Sequence, residues 1–230
     1  MYAVLISAMQ NLASIREAQP RRFVVHNTYE QIQRAAVNVV ARRGYQQTTV
    51  REICAEAGIS ARSFHEHFSD KQEAVLTAVE AALDQAMGCC KEVFQAAGSW
   101  PDAIYSTLEL CAEWAANEPA FARVSTVELL AVGPDARELL NSLMDASALF
   151  LQPGHELLDS PASRSLDQTI SERVFELLYT HIAQDRSADL FELLPEVART
   201  VLTPFLGVSG TEELIVARER RATIRLRGTS

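Results

Sequence analysis

With 230 residues, 48 % of them hydrophobic and only 8 prolines and 9 glycines, the chain can bury a sizeable core and lies outside the composition of a disordered protein. A net charge of −9 argues against a uniformly basic nucleic-acid binder, yet the charge is unevenly placed. Residues 1–75 carry nine Lys and Arg against seven Asp and Glu, residues 76–217 seven against twenty-two, and the last thirteen residues five against one, so a slightly basic head sits on an acidic body that would repel phosphate and orient the head.

Residues 1–27 read as an N-terminal arm: a loose segment, an extra short helix, or in part an overlong gene start with Met9 as a second start. Its apolar patch, Tyr2 to Met9, has no basic residue ahead of it and is too short to span a bilayer, and no later segment is long enough. A soluble, cytoplasmic protein without a membrane partner is the expectation.

The first strong helix is predicted over Thr28–Arg43. Thr28 is placed to cap it with Gln31 three residues on, Ile32, Ala35, Ala36, Val39 and Val40 form its apolar stripe, and Gly44 stops it. Thr48 or Thr49 caps a second helix, Val50–Ala57, with Glu52 in its first turn. Gly58 ends that helix and Ser60 caps a third, to about His67. The connection Ala57-Gly58-Ile59-Ser60 is the short glycine-containing turn of a helix-turn-helix, with Ile59 as its apolar plug. Phe64 and Phe68, four apart, would bury against the first helix. Ser69 then caps a fourth helix through about Gly88, with Ala74, Val75, Ala78, Val79, Ala82 and Leu83 inward.

Further helices are predicted from Trp100-Pro101 to Asn117, from Pro119 to Ala131, and from the Gly133-Pro134-Asp135 break to about Phe150. A loop covers 152–163. Long helices follow over Leu166–Gln184 and Ala188–Leu206, the latter bent at Pro195 and ended by Gly207, and a short helix is open to the segment after Gly210. The fold class is all-α: a three-helix head with a helix-turn-helix at 28–75, a helical regulatory and dimerisation domain at 76–210, and a C-terminal tail at 211–230 with Arg218, Arg220, Arg221, Arg225 and Arg227.

In such a head the third helix enters the major groove with its N-terminal residues toward base edges. Ser60, Ala61, Arg62, Ser63 and His65 are its exposed positions. Arg62 has the planar fork that matches guanine O6 and N7; Ser63 suits a base or a phosphate, and His65 can donate to phosphate. Thr48 and Thr49 offer hydroxyl and backbone donors to phosphate at a helix start. Lys71 lies in the first turn of the fourth helix, the wrong end for the helix dipole, which points to an anionic partner outside the fold; Arg51 can serve similarly. His67 reads either as a DNA contact or as a ring packed over the helix junction.

The run Gly44-Tyr45, Thr48-Thr49-Val50-Arg51-Glu52-Ile53, Ala57-Gly58-Ile59-Ser60 and Phe64-His65-Glu66-His67-Phe68-Ser69-Asp70-Lys71-Gln72 resembles the head of the TetR family of transcriptional regulators. The resemblance covers roughly residues 28–75. It implies a homodimer whose paired heads bind a palindromic double-stranded DNA operator, Thr48 and Lys71 as phosphate clamps, and a recognition helix from Ser60 to His67. The chain departs from the pattern at Cys54, in place of a common alanine, at Ser63, often threonine, and at His65, usually a tyrosine packed on the DNA backbone. Phe175-Glu176-Leu177-Leu178-Tyr179, Leu193-Leu194-Pro195-Glu196 and Thr203-Pro204-Phe205-Leu206-Gly207 resemble the last two helices of many members, which build the dimer interface. Val174, Leu177, Leu178, Val201, Leu202 and Phe205 are stripes that suit either that interface or the protomer's own core.

The resemblance also implies a small-molecule pocket in the body whose occupation releases DNA, making the protein a repressor. Trp100, Trp114, Phe121, Phe150, His155 and Phe175 are the candidate lining, with Glu128 or Glu109 as polar elements, for an apolar or amphipathic effector. An activator, or a regulator controlled by a protein partner, keeps the same head and differs only in the body. No catalytic set has motif-level spacing and His26, His65, His67, His155 and His181 form no metal pattern, so neither an enzyme nor a cofactor is expected. Cys54, Cys89, Cys90 and Cys111 lack metal-ligand spacing and read as buried thiols, with redox sensing the other reading for Cys89, Cys90 and Cys111.

Overall fold

The computed structural model describes residues 27–158 and 164–227; the expected arm before Asn27, residues 159–163 of the expected loop and the last three residues lie outside them. Among the described residues every regular element is helical. The head is α1 (Thr28–Arg43), α2 (Val50–Ala57) and α3 (Ala61–His65), followed by the long α4 (Lys71–Ala96). The body continues with α5 (Trp100–Asn117) and α6 (Pro119–Arg123), a π-turn (Val124–Glu128) and a 3₁₀ turn (Leu129–Ala131). Then come α7 (Pro134–Ala148), a 3₁₀ segment (Gln152–Leu157), α8 (Arg164–Ala183) and, after a short 3₁₀ turn, α9 (Leu190–Arg227). No helix of the described residues is long and apolar enough to cross a membrane.

The helix starts show how local chemistry fixes the head. α1 is capped by Asn27, whose side chain accepts from Glu30 N at 2.9 Å, and not by Thr28. Gln31 is thereby released from the expected capping box and donates across the head to the Ala57 carbonyl at 2.7 Å. α2 has a complete capping box: Thr49 accepts from Glu52 N while the Glu52 carboxylate takes the Thr49 backbone N–H. Gly58 ends α2 at φ 66°, ψ 32°, a left-handed conformation that glycine adopts without penalty. Ser60 caps α3 by accepting from Ser63 N at 3.1 Å. Asp70, one residue after the expected Ser69, caps α4. α4 runs on through Gly88, where it was expected to end, to Ala96.

Phe64 and Phe68 are fully buried with Ile32, Val37, Val40, Ile53, Val75 and Val79, and each such aromatic contributes about 1.5–3 kcal/mol by leaving water. This core does not close within the head. It continues into Phe121, Val124 and Leu129 of the body, so head and body share one packed junction. Polar contacts latch the same junction. Arg34 grips the nearly buried Glu118 through both carboxylate oxygens, Tyr45 N donates to Glu128 Oε2 at 2.9 Å, and Gln72 donates to Asp135 at 3.1 Å.

A second core lies between α5, α8 and α9. Leu202, Val201 and Phe205 are buried in it, which places this stripe in the protomer's own core. α9 breaks at Gly207, φ 69° and ψ 172°, where the sequence puts the helix end, into stretches 190–206 and 208–227; the helix runs through Pro195 without the expected break, and the segment after Gly210 is a long helix. Arg218 staples that segment to α5, donating to the Asp102 carboxylate at 2.7 Å and its carbonyl at 2.9 Å.

Candidate nucleic-acid interface and body cavity

The α2–turn–α3 unit leaves Thr49, Arg51, Ser60, Ala61, Arg62, His65 and His67 exposed and buries the opposite face on α1. Arg62 has 90 % of its side chain in solvent, with only a long 3.4 Å contact to Glu66. Its guanidinium therefore keeps its donors for an outside acceptor. Ser63 is half-buried. His65 sets its ring edge-on to Phe64 at 5.3 Å, with Nδ1 3.3 Å from the Phe68 carbonyl, which leaves Nε2 pointing away from the fold's own acceptor. His67 meets Tyr29 edge-on at 6.3 Å while staying exposed, which fits the packed-ring reading in part.

The two expected clamps are used inside the fold. Thr48 is 2 % exposed and donates its hydroxyl to the Gly44 carbonyl at 2.9 Å, so that hydroxyl is turned inward from the phosphate role expected for it. Lys71 donates to the carbonyls of Tyr45 and Thr48, both at 2.8 Å, and its ammonium lies 4.3 Å from the Tyr45 ring centroid. The anionic partner inferred from its place at a helix start is met here by two carbonyl dipoles and a π face. Thr49 gives its hydroxyl to Glu52, and these hydrogen bonds hold the Glu52 carboxyl below its ordinary value. Arg42 and Arg43, in the last turn of α1, reach the α2 carboxylates Glu56 and Glu52 at 2.6 and 3.1 Å.

The body encloses a cavity of about 300 Å³ between α4, α5, α7, α8 and the start of α9. Among the described residues no charged one lines it; its polar side chains include the hydroxyls of Thr107, Ser125, Thr126, Ser147 and Ser171 and three thiols. Thr107, Ser125 and Ser147 turn their hydroxyls back onto their own helices, so the wall is more apolar than its residue types suggest. Of the six aromatic candidates, Trp114, Phe150 and Phe175 line the cavity.

Trp100, Phe121 and His155 do not, and each is engaged elsewhere. Phe121 is buried in the head–body junction with the Arg34 guanidinium 5.2 Å over its ring. Trp100 donates to the Phe150 carbonyl at 2.8 Å and packs edge-on against Phe205. His155 bonds Asp167 at 2.8 Å and stacks on Phe205. Glu128 and Glu109, expected as polar elements of the pocket, serve the Tyr45 latch and the Arg218 cluster. Sequence reasoning missed the Arg34–Glu118 and Tyr45–Glu128 latches, which span 84 and 83 residues and have no local signature. It also missed the approach of Cys90 Sγ to Cys111 Sγ, 3.6 Å apart at the cavity wall.

Residues 32–78 match the family model of bacterial regulatory proteins, tetR family. The HTH-type transcriptional regulator TcmR of Streptomyces glaucescens is 33 % identical over 73 residues, 32 % of this chain and 32 % of that protein. An uncharacterized HTH-type transcriptional regulator, YerO, of Bacillus subtilis is 33 % identical over 64 residues, 28 % of this chain and 22 % of its own. The alignments thus span less than a third of either relative. The fold extends further. The fatty acid degradation regulator FadR of Bacillus halodurans superposes with a TM-score of 0.69 at 20 % identity, covering 78 % of this chain and 96 % of its own. FadR of Bacillus subtilis, solved in complex with stearoyl-CoA, superposes with a TM-score of 0.67 at 20 % identity, covering 78 % and 99 %. The exposed helix on a glycine-broken turn thus belongs to a head, residues 32–78, that matches the tetR family of bacterial regulatory proteins, and the all-helical body shares the fold of the two FadR regulators.

Proposed function

We propose that the protein is a DNA-binding transcriptional repressor, acting as a homodimer on a palindromic operator and released by an apolar or amphipathic effector in the body cavity. The observation that carries this reading is α4. It starts at Lys71, bonded to the turn that orients α2, and farther along carries the cavity residues Leu83, Ala86, Met87, Cys89 and Cys90. At 1.5 Å per residue, a rod of about 18–29 Å joins the head to the cavity. Any ligand that shifts its far end tilts its near end, and with it Ser60–His67.

The base-reading role belongs to Arg62, with Ser60, Ser63 and His65 beside it; Thr49, Arg51 and His67 serve the phosphates. Thr48 contributes through the backbone of the turn, and Lys71 holds that turn. The effector is one whose apolar part enters a wall without charge, because a buried unpaired charge there has no partner. The Bacillus subtilis relative is bound to stearoyl-CoA, an acyl chain on a charged carrier. A molecule of that kind can place its chain in this cavity only with its charged end outside. Trp114, Phe150 and Phe175 supply the aromatic walls.

The test begins with selection of bound DNA from a random pool. A palindrome with half-sites one helical turn apart or a multiple of it, about 34 Å each, is the expected product, and a series of fatty acyl compounds should then release it. Recovery of no enriched sequence would sink the DNA-reading role. An enriched operator that no apolar compound releases would leave regulation through a protein partner as the reading of the body.

A further inference from the structure

Cys90 on α4 and Cys111 on α5 face each other across the cavity wall with their sulfurs 3.6 Å apart. Cys90 is 4 % exposed. Cys111 lines the cavity and keeps accessible surface. Of this pair, the Cys111 thiol is presented to whatever enters, with Cys90 directly behind it. We infer that this pair is a modification site: an uncharged organic hydroperoxide entering the apolar cavity oxidises Cys111, and Cys90 resolves the product to a disulfide that joins α4 to α5.

The chemistry closes without a further reactant. Cys111 Sγ attacks the terminal oxygen of R–O–O–H; the S–O bond forms, the O–O bond breaks, and the alkoxide leaves with the thiol proton as R–OH. Cys90 Sγ then attacks Cys111 Sγ; the S–S bond forms, the S–OH bond breaks, and hydroxide leaves with the Cys90 proton as water. Two thiols lose two electrons and the hydroperoxide gains them. The sulfurs must close by roughly 1.5 Å to reach the 2.05 Å of a disulfide, a shift that two packed helices can absorb.

The order of events follows from the pair's geometry. Either sulfur can donate in the hydrogen bond between them, and access separates the two: Cys111 keeps accessible surface while Cys90 is 4 % exposed, so Cys111 meets the oxidant first and Cys90 resolves it. The oxidant class follows from the wall. With no charged residue in it, the cavity admits an alkyl or aryl hydroperoxide and disfavours hydrogen peroxide, which must give up its hydration. Cys54, buried in the head core away from the cavity, serves as the internal comparison.

The experiment treats the full-length reduced protein with cumene hydroperoxide or hydrogen peroxide, blocks remaining thiols, and maps peptides by mass spectrometry. A Cys90–Cys111 cross-link, formed about tenfold faster with cumene hydroperoxide and with Cys54 still free, is expected. In Cys90→Ser, Cys111 should stop at a sulfenic acid trapped by dimedone; in Cys111→Ser, neither product should appear. Absence of the cross-link in the wild-type protein overturns the site, and equal rates with the two peroxides overturn the ligand class. That the bond alters DNA affinity rests on the function proposed above. The peptide map reads chemistry alone, so it succeeds or fails whether or not an operator is found.

Discussion

Arg62 and Lys71 are both cationic residues of the reading head, and their surroundings separate their roles. Arg62 stands in solvent at the start of α3, where a fork of donors meets a base edge without first breaking a bond inside the protein. Arg62→Ala is expected to cost about 1–3 kcal/mol at one base pair and to relax the preference there. Lys71 already bonds two carbonyls of the α1–α2 connection. Lys71→Met should therefore destabilise the fold by about 1–3 kcal/mol, since it leaves two part-buried carbonyls without their cation. Competition binding against single-base operator variants, paired with urea unfolding, checks both. If Arg62→Ala weakens all sequences equally, or Lys71→Met leaves the urea midpoint unchanged, the division of labour is wrong.

At the scale of elements, α2 shows how a short helix is held in place for reading. Eight residues are too few for a stable isolated helix, so its start matters. Thr49→Ala removes the capping box and is expected to cost about 0.5–2 kcal/mol. The box also sets a pH dependence. Because the Thr49 hydrogen bonds lower the Glu52 carboxyl in the folded head, its contribution is fully present above the ordinary value near 4.5 and is lost as pH falls below it. Acid unfolding followed by helical circular dichroism should show a higher acid midpoint for Thr49→Ala, and an unchanged midpoint would contradict it. Elements of this kind were legible in the sequence because their signals are local: α2, α5 and Gly58 stand where caps, prolines and glycine put them. The caps of α1 and α4 slipped by one residue because Asn27 and Asp70 lie beside Thr28 and Ser69, and either neighbour can accept a backbone N–H. The cavity lining was legible only in part. Trp114, Phe150 and Phe175 share their residue class with Trp100 and Phe121, and which aromatic faces a void depends on how helices far apart in sequence rotate against each other.

For the whole molecule, the proposed function requires that a cavity without charged lining influence the DNA-binding head. The π-turn Val124–Glu128 touches both: Ser125 lies on the cavity wall, and Glu128, three residues on, accepts the Tyr45 backbone N–H in the head. A π-turn is a strained, widened turn with an alternative regular α geometry, which suits it to a two-position joint. Phe121 and Val124 pack the same joint to the head core, and Arg34–Glu118 fixes its other end. Under the proposed function, two structural connections join cavity and head, α4 and this turn. Coupling energies between sites are commonly about 1–3 kcal/mol, a 5- to 150-fold change in affinity. Glu128→Ala should cut the second route: effector binding, followed by Trp114 fluorescence in the cavity, is expected to persist while the effector's ability to release the operator falls several-fold. The double variant with Gln72→Ala, which removes the Gln72–Asp135 contact of α4, should fall further. Full release by Glu128→Ala at the wild-type effector concentration would show that α4 alone carries the signal and that the π-turn only supports the head.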